Sequence, residues 1–174
     1  MTAAIASNRC FFRHLTATGS LGDTPPRLRV LVAEDDEPNQ QVFRIMLERR
    51  GYSVRIVANG RQALAAIDEE SFDLLLLDVR MPEVDGWQVV ESLRRGEGED
   101  PGCGRLPVIA LTAMAQKSDR ERCMQAGMDE YLSKPLRAAE LYATLDRVLA
   151  RQGEEPNPEF QAASRARGVT AEHF

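Results

Sequence analysis

The strongest constraint on the fold of this chain is the hexapeptide Asp-Leu-Leu-Leu-Leu-Asp at residues 73–78. Its consecutive leucines do not alternate with polar residues, which is typical of a central parallel strand covered by helices on both faces. Short apolar runs alternate with helical patterns on both sides of it, as in a repeated βα unit with a parallel sheet. We predict five strands, at residues 29–33, 53–57, 73–77, 108–111 and 130–132.

A helix is predicted after each strand. The first begins at Glu37-Pro38, because proline is favoured in a first helical turn, and Gly51 ends it. The second, third and fifth helices are predicted at residues 61–69, 87–95 and 138–150. The fourth is predicted to be capped by Ser118 or Asp119 and to end at Gly127. Residues at helical spacing support four of the five helices. They are Val42, Ile45, Met46 and Arg49 in the first helix, Leu64 and Ile67 in the second, Val90 and Leu93 in the third, and Leu141, Leu145, Val148 and Leu149 in the last.

The composition suits one domain with flanking tails. The 174 residues are 43% hydrophobic, which is sufficient for one core. Segment 1–27 ends in a Gly- and Pro-rich stretch, and segment 153–174 has few large apolar residues. We therefore predict a domain at residues 28–152, an N-terminal tail or linker at 1–27 and a flexible C-terminal tail at 153–174.

The charge and the cysteines exclude several classes of protein. The net charge of −5 argues against general nucleic-acid binding, which requires clustered Lys and Arg, and 22 residues after the domain are too few for a DNA-binding helical unit. No apolar run has membrane-spanning length, and Arg9 and Arg13 interrupt the start of a signal-peptide pattern. Cys10, Cys103 and Cys123 form no paired motif for zinc or disulfides. We expect a cytoplasmic protein that binds neither nucleic acid nor membrane.

Chemistry-bearing side chains lie where the predicted strands end. In a parallel α/β sheet, ligands bind beyond the carboxyl ends of the strands. These positions are Glu34, Asp35 and Asp36 after the first strand, Asp78 after the third, Thr112 after the fourth and Lys134 after the fifth. The sequence therefore predicts an acidic cluster with one hydroxyl and one amine.

Each of these residues also has a purely structural explanation. The acidic run could cap a helix, and Asp78 could cap the turn at Met81-Pro82. Thr112 could likewise cap a helix, and Lys134 could be a surface lysine. Their coincidence at one edge of a sheet favours function, because like charges brought together raise the free energy unless a cation joins them.

Five motifs occur together and in order: residues 30–36, residues 73–82, Asp85-Gly86, residues 110–113 and Tyr131-Leu-Ser-Lys134-Pro135. In this combination the chain resembles the receiver domain of two-component response regulators over about 125 residues. The stretch from Glu34 to Gln40 is most similar to receivers of hybrid histidine kinases. The resemblance implies a flavodoxin-like, doubly wound (βα)5 fold with a five-stranded parallel sheet of order 2-1-3-4-5.

The resemblance also implies roles for the residues of the cluster. Asp78 would accept the phosphoryl group, and Mg²⁺ would be bound by Asp35, Asp78 and the Arg80 carbonyl, with Glu34 acting through a water. Lys134, the Thr112 hydroxyl and the Ala113 amide would then hold the phosphoryl oxygens.

Two further positions have alternative interpretations. Tyr131 resembles the aromatic switch that turns inward when the residue at the Thr112 position moves, but it could equally be an aromatic half-buried on an outer strand. Asp36 stands where hybrid-type receivers commonly have Asn. It could strengthen metal binding, although capping of the first helix is the better explanation.

The main functional hypothesis is a phosphoacceptor module that receives its phosphoryl group from a histidine kinase or a histidine phosphotransfer protein and signals to an output protein. It would not be an enzyme beyond its own phosphorylation and slow dephosphorylation. One alternative, a haloacid-dehalogenase-like phosphatase, needs a second Asp at the position of Arg80. The other, a pseudo-receiver used only for binding, does not explain why Asp35, Asp78, Thr112 and Lys134 occur together.

Overall fold

The computed structural model describes residues 27–97, 105–113 and 117–151. The predicted C-terminal tail, and all of the predicted N-terminal tail except Arg27, lie outside these ranges. Helices and strands alternate in the order β1 (Arg29–Ala33), α1 (Glu37–Arg49), β2 (Ser53–Val57), α2 (Gly60–Glu69), β3 (Leu74–Asp78), α3 (Gly86–Glu97), β4 (Val108–Thr112), α4 (Lys117–Gln125), β5 (Glu130–Ser133) and α5 (Ala138–Arg151).

The strands form one parallel sheet in the order β2-β1-β3-β4-β5, which confirms the predicted fold class. The bounds of β1 and β2 are as predicted. Strands β3, β4 and β5 each end one residue later than predicted, and β3 also begins one residue later. Asp78 and Thr112 are therefore the last residues of their strands, because the ladder continues through Asp78 opposite Leu111 and Thr112 opposite Ser133. Asp73 precedes β3, and its carboxylate instead accepts a hydrogen bond of 2.6 Å from the Arg29 N–H.

Both faces of the central strands are buried. All residues of β3 and β4 are inaccessible or nearly so, as the run of leucines predicts. One face packs with α2, α3 and α4 in a single apolar cluster that includes Leu31, Leu75, Leu77, Ala63, Ile67, Val90, Leu93 and Cys123. Because all five strands pair in parallel, their carboxyl ends meet at one edge of the sheet.

Helix α1 buries a different face from the one its apolar spacing suggests. Phe43 and Leu47 are fully buried, whereas Val42 and Ile45 are 42% and 50% exposed. The predicted stripe of Val42, Ile45, Met46 and Arg49 is thus not the buried face of the helix. The predicted start and end are confirmed: the Asp36 carboxylate caps the helix, and Gly51 follows it at φ +80°.

The predicted extents of α2 and α3 are confirmed within two residues. Ile67, Val90 and Leu93 are buried, and Leu64 is half-buried. Helix α4 already includes Ser118 and Asp119, so neither can be its cap, and it ends at Gln125, before Gly127. No helix within the described ranges combines the length and apolar character that crossing a membrane requires.

The described chain divides into two compact units, one ending at Pro135 and one beginning at Leu136. The first contains the sheet and helices α1 to α4. The second contains α5, whose predicted apolar residues Leu141, Leu145, Val148 and Leu149 are all buried, together with Thr144.

Candidate functional site

The carboxyl edge of the sheet brings together the predicted acidic residues and the predicted lysine. Asp78 ends the central strand β3, Glu34 directly follows the neighbouring strand β1, and Lys134 directly follows β5. The Lys134 ammonium donates hydrogen bonds to the carboxylates of both Glu34 and Asp78. Residues 100 positions apart in sequence, Glu34 and Lys134, therefore meet at this edge.

Glu34 is the most enclosed polar residue of the cluster. It has no exposed surface, and its Oε1 accepts hydrogen bonds from Lys134 Nζ at 2.8 Å and from Asn39 Nδ2 at 2.9 Å. Its Oε2 lies 2.7 Å from the same ammonium but receives no hydrogen bond of good geometry. Oε2 is therefore held by the charge of Lys134 and not by a well-aligned hydrogen bond.

Asp78 is 6% exposed and uses its two carboxylate oxygens differently. Oδ1 accepts a hydrogen bond of 2.8 Å from the Arg80 N–H, which closes the turn after β3. Oδ2 accepts a hydrogen bond from the Lys134 ammonium. Asp78 therefore stabilises a local turn, as the structural explanation requires, and it also belongs to the charged cluster.

Burial and pairing change the acidity of two groups. Burial raises the pKa of Glu34 above 4.5, and the hydrogen bonds from Lys134 and Asn39 only partly oppose it. Burial acts to lower the pKa of Lys134, but its hydrogen bonds to Asp78 and Glu34 outweigh this effect and raise that pKa above 10.5. Lys134 is consequently a fixed positive charge at neutral pH.

The cluster fits a divalent cation. Glu34, Asp35 and Asp78 each offer a carboxylate oxygen, and these oxygens lie within 4.8 Å of one another. The Lys134 ammonium pairs with two of these three carboxylates, those of Glu34 and Asp78, so the negative charge of the cluster is only partly balanced. Asp35 is exposed, and it lines an open cleft of about 530 Å³ together with Arg80, Met81, Asp85 and Trp87. Such oxygen donors beside an accessible cleft suit Mg²⁺, which usually keeps several of its waters.

The remaining predicted site residues lie on β4 and β5. Thr112 is 7% exposed, and its carbonyl oxygen accepts a hydrogen bond of 2.7 Å from the Lys134 N–H. Ala113 follows it and is exposed. Tyr131 is half-buried on the edge strand β5, packs against the apolar cluster, and has the Arg120 guanidinium 5.6 Å from its ring centroid. Its position is compatible with both interpretations of this residue.

Sequence reasoning missed the supporting residues around Glu34. The sequence predicts no individual role for Asn39 or Gln40. In the structure Asn39 donates a hydrogen bond to the Glu34 carboxylate, and Gln40 Nε2 donates a hydrogen bond of 2.6 Å to the Glu34 carbonyl. The signal was present: amides in the first turn of a helix can reach back to a residue just before its cap. Asp36 accepts from the Asn39 N–H at 3.0 Å, which confirms that it caps the helix.

Comparison with known proteins gives consistent matches. The family model of the response regulator receiver domain matches residues 30–146. The chain is 38% identical over 120 residues to the polar-differentiation response regulator DivK of Brucella anthropi, a match that covers 69% of the chain and 94% of DivK. It is 42% identical over 113 residues to the sensor histidine kinase GacS of Pseudomonas protegens, covering 65% of the chain; the chain spans only 12% of the length of that kinase.

A solved structure shares both fold and sequence with the chain. The receiver domain of the sensor histidine kinase PA1611 from Pseudomonas aeruginosa, crystallised with a magnesium ion coordinated in its active-site cleft, is 40% identical with a TM-score of 0.63. The match covers 72% of the chain and 99% of that domain.

Proposed function

The chain belongs to the response regulator receiver domain family, whose model matches residues 30–146, and on this premise we propose that Asp78 accepts a phosphoryl group from a phosphohistidine. The observation that carries the proposal is the position of Asp78. It ends the central strand, is almost fully buried, and shares the Lys134 ammonium with Glu34. A carboxylate held in this way is oriented for attack on a group that enters the adjacent cleft.

In the proposed transfer, an oxygen of the Asp78 carboxylate forms a bond to phosphorus while the bond from phosphorus to the donor imidazole nitrogen breaks. The nitrogen keeps the electron pair of that bond, and Asp78 becomes an acyl phosphate. Phosphoryl transfer requires positioning and charge stabilisation more than covalent chemistry by the protein. The hydrogen bond from Arg80 N–H to Asp78 Oδ1 supports this positioning.

We propose that Asp35, Asp78 and the Arg80 carbonyl hold Mg²⁺, with Glu34 acting through a water. When bound, Mg²⁺ offsets the repulsion between the carboxylate and the phosphoryl oxygens. The acidic cluster and the magnesium ion in the related PA1611 receiver support this assignment.

The other site residues act on the phosphoryl oxygens in this proposal. Lys134, already a fixed ammonium beside Asp78, neutralises one oxygen. The Thr112 hydroxyl and the Ala113 amide hold the others, and the movement of Thr112 changes the position of Tyr131 on the edge strand. The modified surface then alters contacts with an output protein.

The proposed donors are a histidine kinase or a histidine phosphotransfer protein. Similarity to receivers within sensor histidine kinases and to DivK supports this class of partner. A haloacid-dehalogenase-like phosphatase is not favoured, because Arg80 stands where that chemistry needs a second acid.

The direct test is incubation with acetyl phosphate and Mg²⁺, followed by intact-mass measurement. We expect the mass of one phosphoryl group on the wild type, none without Mg²⁺, and none on Asp78→Asn, because an amide is a poor nucleophile. Phosphorylation of Asp78→Asn at the wild-type rate would refute the assignment.

A further inference from the structure

Asn39 lies in the first turn of α1, and its side chain points back towards the acidic cluster. Its Nδ2 donates a hydrogen bond of 2.9 Å to Glu34 Oε1, five residues earlier in the chain. Its backbone N–H donates a hydrogen bond of 3.0 Å to the Asp36 carboxylate, which caps the helix. The cap thus determines where the first turn lies, and the first turn places the Asn39 amide against Glu34.

Glu34 is held from two sides. Asn39 approaches it from α1, while Lys134 approaches from the segment after β5, and both donate to the same oxygen. Gln40 Nε2 also donates a hydrogen bond of 2.6 Å to the Glu34 carbonyl. Helix α1 therefore restrains both the main chain and the carboxylate of Glu34. These contacts leave Oε2 as the oxygen that receives no hydrogen bond of good geometry.

The two donors to Glu34 differ in charge and in their other partners. Lys134 is shared with Asp78, and in the proposed function it also pairs with a phosphoryl oxygen. Asn39 is neutral, so it can hold the carboxylate without electrostatic repulsion of a divalent cation nearby. Groups that orient ligands in this way commonly change metal affinity by about 10- to 100-fold.

We infer that Asn39 is a positioning residue for the cation site: it keeps the Glu34 carboxylate oriented for Mg²⁺ while Lys134 is engaged with Asp78 or the phosphoryl group. The inference rests on the proposed function, since it assumes that the acidic cluster binds Mg²⁺. It adds a role for a residue outside the proposed ligands.

Mg²⁺ affinity measured by calorimetry on the full chain provides the test. Asn39→Leu removes the donor at similar volume, and Asn39→Ala removes it with a good helix former. We expect either variant to weaken Mg²⁺ binding by about tenfold, the lower end of the range for orienting groups. Gln41→Leu is the matched control, because Gln41 is exposed on the same helix, and it should bind Mg²⁺ as the wild type does.

Urea unfolding without Mg²⁺ separates this role from a purely structural one. A structural role lowers the unfolding midpoint and leaves the Mg²⁺ affinity of the folded protein unchanged, and that result would overturn the inference. The Glu34→Ala background, which removes the oxygen that accepts the hydrogen bond from Asn39, gives the second comparison. There, Asn39→Leu should cause little further loss of affinity, and a full additional tenfold loss would show that Asn39 does not act through Glu34.

The outcomes also distinguish the inference from the proposed function. If the wild type binds no Mg²⁺, the metal assignment and the inference both fail. If the wild type binds Mg²⁺ and the two Asn39 variants bind it equally well, only the inference fails.

Discussion

Gly86 packs directly against the backbone of Asp78. A Cβ atom at position 86 would lie 2.6 Å from the Asp78 carbonyl oxygen and 2.8 Å from the Val79 Cα. The Gly86 N–H also donates a hydrogen bond of 3.1 Å to the Val79 carbonyl. Glycine at the start of α3 therefore lets the helix approach the strand end that carries the proposed phosphoacceptor.

We predict that Gly86→Ala destabilises the fold by about 1–3 kcal/mol, because backbone atoms must move to admit the methyl group. The displacement falls on Asp78, so phosphorylation by acetyl phosphate should also slow, measured by intact mass under conditions in which the variant is folded. Gly51→Ala is the control: a Cβ there meets nothing within 4 Å, but φ is +80°. It should lose stability and keep the wild-type phosphorylation rate; equal rates in both variants would contradict the prediction.

Asp35 is the exposed member of the acidic cluster. Asp35→Asn and Asp35→Ala should weaken Mg²⁺ binding and leave the metal-free fold as stable as the wild type or more stable, because removing one acid relieves repulsion from its neighbours. Calorimetry gives the affinity, and urea unfolding in EDTA gives the stability. Clear destabilisation of both metal-free variants would instead indicate that Asp35 stabilises the fold and would contradict the prediction.

Trp87, the only tryptophan, lines the same cleft as Asp35 and Arg80, and the Arg122 guanidinium lies 4.5 Å from its ring centroid. Mg²⁺ should change its fluorescence saturably, since the proposed ligands Asp35 and Arg80 line the same cleft as the indole. Beryllium fluoride, a mimic of the phosphoryl group on Asp78, should produce a further change.

Two variants test the origin of that signal. Asp35→Asn should give a much weaker response, whereas Arg122→Gln should change the starting fluorescence through loss of the cation–π contact and keep the Mg²⁺ midpoint. An identical response in wild type and Asp35→Asn would mean that the signal arises elsewhere.

The raised pKa of Glu34 predicts a pH dependence of stability. The folded protein holds the Glu34 proton more tightly than the unfolded chain does, so this group makes stability fall as pH rises from 4.5 through its raised pKa. Lys134 stays charged throughout that window, because its pKa is raised from 10.5. We therefore compare the free energies of unfolding of the wild type and of Glu34→Gln. The wild-type value minus the variant value should decrease as pH rises. Urea unfolding in EDTA across this window measures it; a difference that rises with pH would contradict the pKa direction.

Much of this protein could be predicted from local patterns. The strands were found because uninterrupted apolar runs such as residues 74–77 are stable only where both faces are covered. The grouping of Glu34, Asp78 and Lys134 followed because parallel strands that share a sheet present their carboxyl ends at one edge. The cap at Asp36 depends only on residues a few positions away, and it was predicted as well.

Other features were decided by tertiary structure. Helix α1 has apolar residues on more than one face, and only its packing buries Phe43 and Leu47 while leaving Val42 and Ile45 exposed. Asp78 and Thr112 were included in their strands by pairing with neighbouring strands, which sequence periodicity does not report. The sharing of one ammonium by Glu34 and Asp78, and the Asn39 hydrogen bond to the same carboxylate, also depend on side-chain positions in the folded chain. Local sequence determined which residues reach the edge of the sheet, whereas the partners of each oxygen depend on distances of a few ångströms that only the packed chain defines.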